Sequence, residues 1–152
     1  MINKAVFIDV DGTLVHTRSG RAYPVASTDW KVREGLIKPL KQYHKDGFKI
    51  ILIADKAEIE TGLITEREVI RRLDDICDRI VQLCRLTTMD LGFIYSTKEG
   101  FNKRPNPGMA YELCQEYELD LGECIMIGKS DMDVEFYKRA GIGTYISFEN
   151  LL

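Results

Sequence analysis

Two carboxylates two residues apart, in Asp9-Val10-Asp11-Gly12-Thr13, stand directly behind the apolar run Ala5-Val6-Phe7-Ile8. Such a run reads as a buried strand, and open α/β sheets keep their active sites just beyond the C-terminal ends of such strands. A pair placed there can divide labour, one carboxylate attacking a phosphorus atom and the other moving a proton to and from the leaving group. Gly12 lets the chain turn, and Thr13 adds a hydroxyl. An acidic turn that merely caps a helix is the competing role for Asp9 and Asp11. A buried strand end is a costly place for carboxylates without a task.

The elements that must position this pair can be read from hydrophobic patterning. Apolar runs at about 4–9, 48–54, 91–96, 123–128 and 143–148 alternate with helix-like stretches. They predict an α/β, doubly wound, Rossmann-like fold: a five-stranded parallel sheet with helices on both faces. The first helix starts near Ile37, with Pro39 in its first turn, and stops at Asp46-Gly47. Thr65 and Glu68 form a capping-box pattern that opens a second helix to about Cys84, with Val69, Leu73, Ile76, Ile80 and Leu83 as its buried stripe. A third helix follows Pro107-Gly108 to about Tyr117, and a fourth runs from Met132 to Ala140, stopped by Gly141. Residues 14–33 show no clear period. Their Gly20, Pro24 and Trp30 predict a structured flap rather than a floppy connection.

The 152 residues predict a single domain over 1–152 with its own core and no large cap domain. A composition of 45% hydrophobic and 30% charged residues excludes disordered and fibrous classes. The apolar runs are strand-sized and Met1-Ile2-Asn3-Lys4 carries no signal-peptide pattern, so the expectation is a cytoplasmic protein without a membrane partner. Cys77, Cys84, Cys114 and Cys124 lack paired Cys-x-x-Cys spacing and read as reduced core thiols. A net charge of −3 argues against a broad nucleic-acid-binding surface. It leaves room for a local basic site, since Arg18, Arg21, Lys31 and Arg33 face only Asp29 between His16 and Arg33.

Strand, Asp-x-Asp-Gly-Thr and a distal Gly-x-Ser-Asp-x-Asp together resemble the haloacid dehalogenase superfamily of phosphohydrolases, from Val6 to about Ile146. Thr17-Arg18-Ser19-Gly20-Arg21-Ala22-Tyr23-Pro24 followed by Asp29-Trp30 is similar to the 3′-phosphatase domain of polynucleotide kinase/phosphatase enzymes. Ile59, Gly62 and Leu63, then Lys103-Arg104-Pro105 with Gly108-Met109, fit the same group. No Gly-x-x-x-x-Gly-Lys-Ser/Thr loop is present, so the kinase half is missing. Heptose bisphosphate and histidinol phosphate phosphatases, which are related, often carry a Cys/His zinc loop that this chain lacks. The partner the resemblance implies is therefore a nucleic-acid 3′ end or nucleotide, or a phosphorylated small molecule.

The resemblance implies that Asp9 is the nucleophile and Asp11 the general acid and base, with Mg²⁺ held by Asp9, the main-chain carbonyl of Asp11, and Asp133. Thr13, Arg18, Ser19, Arg21, Ala54, Asp55, Lys103, Arg104 and Lys129 fall at phosphate- or substrate-binding positions, with Tyr23 as a stacking surface and Trp30 either a second one or, the favoured role, a packing anchor under the flap. Four of these positions depart from the pattern. Ala54 deletes a phosphate-binding hydroxyl, a bond worth about 1.5–3 kcal/mol. Asp55 adds an anion, which the neighbouring Lys56 either offsets or leaves alone. Arg104 stands where relatives have lysine, keeping the sign and changing the geometry. Lys129 replaces the Asp that binds Mg²⁺ directly. An ammonium about 4 Å from a dication is opposed by roughly 8 kcal/mol at an effective dielectric of 20. Either Lys129 swings out and Asp131 or Asp133 holds the metal, or its ammonium takes the ion's place and Mg²⁺ is absent. Two functions follow: a phosphomonoesterase working through an aspartyl-phosphate, or a catalytically degenerate relative that binds a phosphorylated ligand or a protein partner.

Overall fold

Strand β1 (Lys4–Asp9) is buried on both faces, and alternation along it divides the core in two. Val6 and Ile8 join one hydrophobic cluster, whereas Ala5 and Phe7 join another. A computed structural model describes residues 2–22, 24–56, 64–87, 90–97 and 99–152. In it β1 is the middle of a five-stranded parallel sheet, flanked by β4 (Phe48–Asp55) and then β5 (Leu91–Ser96) on one side, and by β6 (Ile125–Gly128) and β7 (Thr144–Ser147) on the other, with β2 (Val15–His16) and β3 (Lys31–Val32) forming a separate pair. This is the expected doubly wound sheet. Because the chain leaves β1 towards β4 and later returns to β6, the order reverses at β1, where such sheets open a crevice.

Helices α1 (Ile37–Lys45) and α2 (Glu66–Cys84) cover the Val6 face, and α3 (Gly108–Tyr117) and α4 (Asp131–Ala140) cover the Phe7 face. The Thr65 hydroxyl accepts from the Glu68 N–H in the predicted capping box. The α2 stripe ends on buried Cys84 rather than on Leu83, which is only half-buried. Helix α4 begins one residue earlier than the sequence pattern suggests, because Ser130 and Asp133 form a second capping box. Gly141 closes that helix at φ +76°, a left-handed conformation that glycine adopts without strain.

Residues 14–33 contain a short antiparallel pair, β2 (Val15–His16) with β3 (Lys31–Val32), so the flap is a structured hairpin as expected. Asp29 organises its tip. Its carboxylate accepts from the Ser19 N–H and hydroxyl at 2.8 and 2.7 Å and from the Val25 N–H at 3.0 Å. The Ser19 hydroxyl and the backbone bonds hold Asp29 down to about 2. All four cysteines are free. Among the described residues no helix is long and apolar enough to cross a membrane.

Candidate active site

The C-terminal ends of three adjacent strands deliver the site: Asp9 ends β1, Asp55 ends β4 and Lys129 follows β6. Together with Asp11, Arg104, Ser130, Met132 and Asp133 they line a cleft of about 210 Å³. Arg104 is its hub. Its buried guanidinium reaches Asp9 at 2.9 Å, Asp55 at 2.8 Å and Asp133 at 2.8 Å. Planar, multi-donor geometry lets arginine serve three carboxylates at once, which a lysine point charge could not match. Burial raises the Asp9 carboxyl above its ordinary range despite Arg104, and nearby Asp133 adds to that effect. Arg104 itself is pushed up, because the three carboxylates outweigh its own desolvation.

Several expected ligand contacts are committed elsewhere. Thr13 is fully buried and donates to Asp9 Oδ2 at 2.8 Å, so its hydroxyl orients that carboxylate. Ser19 is tied to Asp29, and Ala54 is buried within β4. The Lys56 N–H donates to the Ser96 carbonyl across the sheet. Asp55 is not a free anion facing the cleft: Arg104 and the Ser96 hydroxyl, at 2.6 Å, both bind it. Lys103 stands 3.8 Å from Glu99 and does not line the cleft. Arg21 lines an adjoining cavity with Asp11, whereas Arg18 lines a different cavity on the far side of the hairpin. Trp30 packs partly against the core, and Tyr23, Ile59, Gly62 and Leu63 lie outside the described residues.

Asp11 is held differently from Asp9. Lys56 binds its Oδ2 at 2.5 Å and Arg72 its Oδ1 at 2.7 Å. Burial would raise this carboxyl, but the two cations outweigh it and hold Asp11 below its ordinary value. Lys56 thus offsets Asp11 rather than Asp55. Arg72 was not singled out by sequence: its partner is distant in the chain, and the only local signal was a cation beside the buried stripe of α2. Its Nη1 is buried without a partner among the described residues. Arg33 was also missed as a brace, donating to the Thr13 and Gly12 carbonyls at 2.9 and 3.2 Å.

Lys129 turns inward and donates from Nζ to the main-chain carbonyl of Asp11 at 2.8 Å. Gly12, at φ +81°, makes room: a Cβ there would lie 1.9 Å from that nitrogen. Asp133 Oδ1 faces Arg104, and Oδ2 accepts from the Lys129 N–H at 3.0 Å. A divalent cation does not fit this arrangement. The Asp9 and Asp133 oxygens and the Asp11 carbonyl are already engaged by fixed donors, and among the described residues no His, Cys, Asp or Glu group could hold a metal. Four acids (Asp9, Asp11, Asp55, Asp133) meet four cations (Lys56, Arg72, Arg104, Lys129), so the cleft is neutral without an ion.

A sequence model described as polynucleotide kinase 3 phosphatase matches residues 4–137. The chain belongs to that family. Its fold is that of the haloacid dehalogenase-like phosphatases. A probable D-glycero-D-manno-heptose-1,7-bisphosphate 7-phosphatase of Thermoplasma volcanium is 25% identical over 138 residues, covering 90% of this chain and 92% of that protein. Among solved structures, the D,D-heptose 1,7-bisphosphate phosphatase of B. bronchiseptica, complexed with magnesium and phosphate, superposes with a TM-score of 0.76 at 17% identity, over 95% of this chain and 80% of that one. A chain of the Pnkp1/Rnl/Hen1 RNA repair complex gives 0.55 at 18% identity, over 96% and 42%. Family and relatives alike support a phosphatase.

Proposed function

We propose that the chain is a phosphomonoesterase that takes the phosphoryl group onto Asp9 and acts on the 3′-phosphate of a nucleotide or nucleic-acid end. The observation that carries this reading is Asp9 at the end of β1, oriented by Thr13 and set 2.9 Å from the buried guanidinium of Arg104. A carboxylate oxygen of Asp9 attacks phosphorus, an Asp9–phosphorus bond forms, and the ester P–O bond breaks. The departing oxygen takes a proton from Asp11. Asp11 then takes one from the water that releases inorganic phosphate and restores Asp9. Its lowered proton affinity makes the acid half the harder half, and the Lys56 and Arg72 pairs must loosen as substrate enters.

The family match supports the nucleic-acid side, and so does the missing zinc loop. Several relatives are heptose bisphosphate phosphatases by name, which makes heptose bisphosphate the proper competitor. Phosphate release from a 3′-phosphorylated oligonucleotide, from a 3′-mononucleotide and from heptose 1,7-bisphosphate tests the assignment. Preference for either 3′-phosphate, lost in Asp9→Asn, is expected; preference for the heptose ester would overturn it. A second reading, phosphate binding without turnover, is favoured by the Lys129 contact with the Asp11 carbonyl and by the ionised state of Asp11. It predicts saturable phosphate binding with no release from any of the three.

A further inference from the structure

Larger than the cleft of about 210 Å³ is a trough of about 1020 Å³, among the described residues, on the other side of the β2–β3 hairpin. Its wall gathers cations that are scattered in sequence. Lys38, Lys41 and Lys45, spaced i, i+3 and i+7, share one face of α1. Arg79 and Arg85 come from the end of α2, and Arg18 and Lys31 from the flap. All seven are exposed and none forms an ion pair among the described residues, in contrast to the neutralised cations of the cleft. Glu34 is the one acid in the lining, and the one histidine there, His44, is 3.0 Å from Asp90. Trp30, half-buried, supplies an aromatic wall.

The trough is separated from the cavity next to the cleft only by the hairpin. The hairpin walls both cavities: Thr17, Asp29 and Arg33 line the one that contains Asp11 and Arg72, whereas Arg18, Trp30, Lys31 and Val32 line the trough. A chain of phosphates lying in the trough could therefore cross the hairpin to present its end to Asp9. Unpaired cations in a groove with an aromatic side chain match a single-stranded polyphosphate backbone, whose bases stack and whose charges release counterions. A sugar bisphosphate has no use for seven cations outside the cleft.

We infer that this trough binds the single-stranded part of a nucleic-acid substrate, upstream of the end held at Asp9. The inference rests on the nucleic-acid reading of the active site, but it can be tested apart from turnover. The probe is a fluorescently labelled single-stranded oligonucleotide carrying no terminal phosphate, titrated by anisotropy across salt concentrations, with Trp30 fluorescence as a second signal. Wild type and Asp9→Asn should bind alike, with affinity falling steeply as salt rises. The double reversal Lys41→Glu/Arg85→Glu should lose about tenfold or more in affinity at low salt and about two in the magnitude of the salt slope. Its release of phosphate from a 3′-mononucleotide should not change, because neither residue touches the cleft. Loss of oligonucleotide affinity with no phosphate release by wild type would keep the trough and overturn the catalytic reading. Binding unaffected by the reversal would overturn the trough, and so would equal or tighter binding of a polyglutamate peptide or of vesicles containing phosphatidylserine.

Discussion

One guanidinium ties together Asp9, Asp55 and Asp133, carried by three different segments, so Arg104 fixes the relative positions of the strand ends. One ammonium, that of Lys129, sits on the carbonyl which the family resemblance gives to a metal. These two side chains make the cleft electrically complete. The expected consequence is weak Mg²⁺ binding by the natural chain and a gain of about tenfold or more in Lys129→Asp, which removes a repulsion of several kcal/mol at close range. Isothermal titration and Mg²⁺-dependent thermal shifts read this independently of turnover. Equal Mg²⁺ affinity in both proteins would contradict the assignment of Lys129 as the resident cation. The Asp9-x-Asp11 pair could be read from sequence because its parts are adjacent and its strand is strongly apolar. Arg72 could not, since only the fold brings it 2.7 Å from a carboxylate 61 positions away.

At the scale of elements, caps and strand runs were legible because their causes are local. The Thr65–Glu68 box, the Gly141 stop and all five parallel strands follow from neighbours in sequence. The capping role of Asp133 was hidden, because Ser130-x-x-Asp133 overlaps the motif read for metal binding. The flap was legible as ordered, but Ser19 was assigned to ligand when it belongs to the Asp29 turn. That turn has a pH signature. Asp29 is depressed from 3.8 to about 2, so its ionised form favours the folded flap. The contribution is complete above the ordinary carboxylate range and fades as pH falls from about 4 towards 2. Trp30 fluorescence during acid titration should show wild type losing flap order in that window, whereas Asp29→Asn starts looser at neutral pH and changes less there. Matching acid profiles for the two proteins would contradict the role given to Asp29.

For the molecule as a whole, a net charge of −3 conceals an uneven distribution. The candidate cleft is balanced, and one flank of the hairpin carries seven cations that form no ion pair among the described residues. Composition alone argued against a broad nucleic-acid surface, and no window of sequence exposes a trough assembled from the flap, α1 and α2. Sheet order could be anticipated from strand and helix alternation, whereas the gathering of charges depends on how two helices pack beside the hairpin. In the proposed reading both features converge on Asp9, at the end of the strand where the sheet order reverses. Acid-quenched peptide mass spectrometry during incubation with a 3′-phosphorylated oligonucleotide tests that convergence most directly. The peptide containing Asp9 should carry a phosphoryl group that is absent from Asp9→Asn; phosphate release that continues in Asp9→Asn, with no phosphoryl group on the wild-type peptide, would contradict the account.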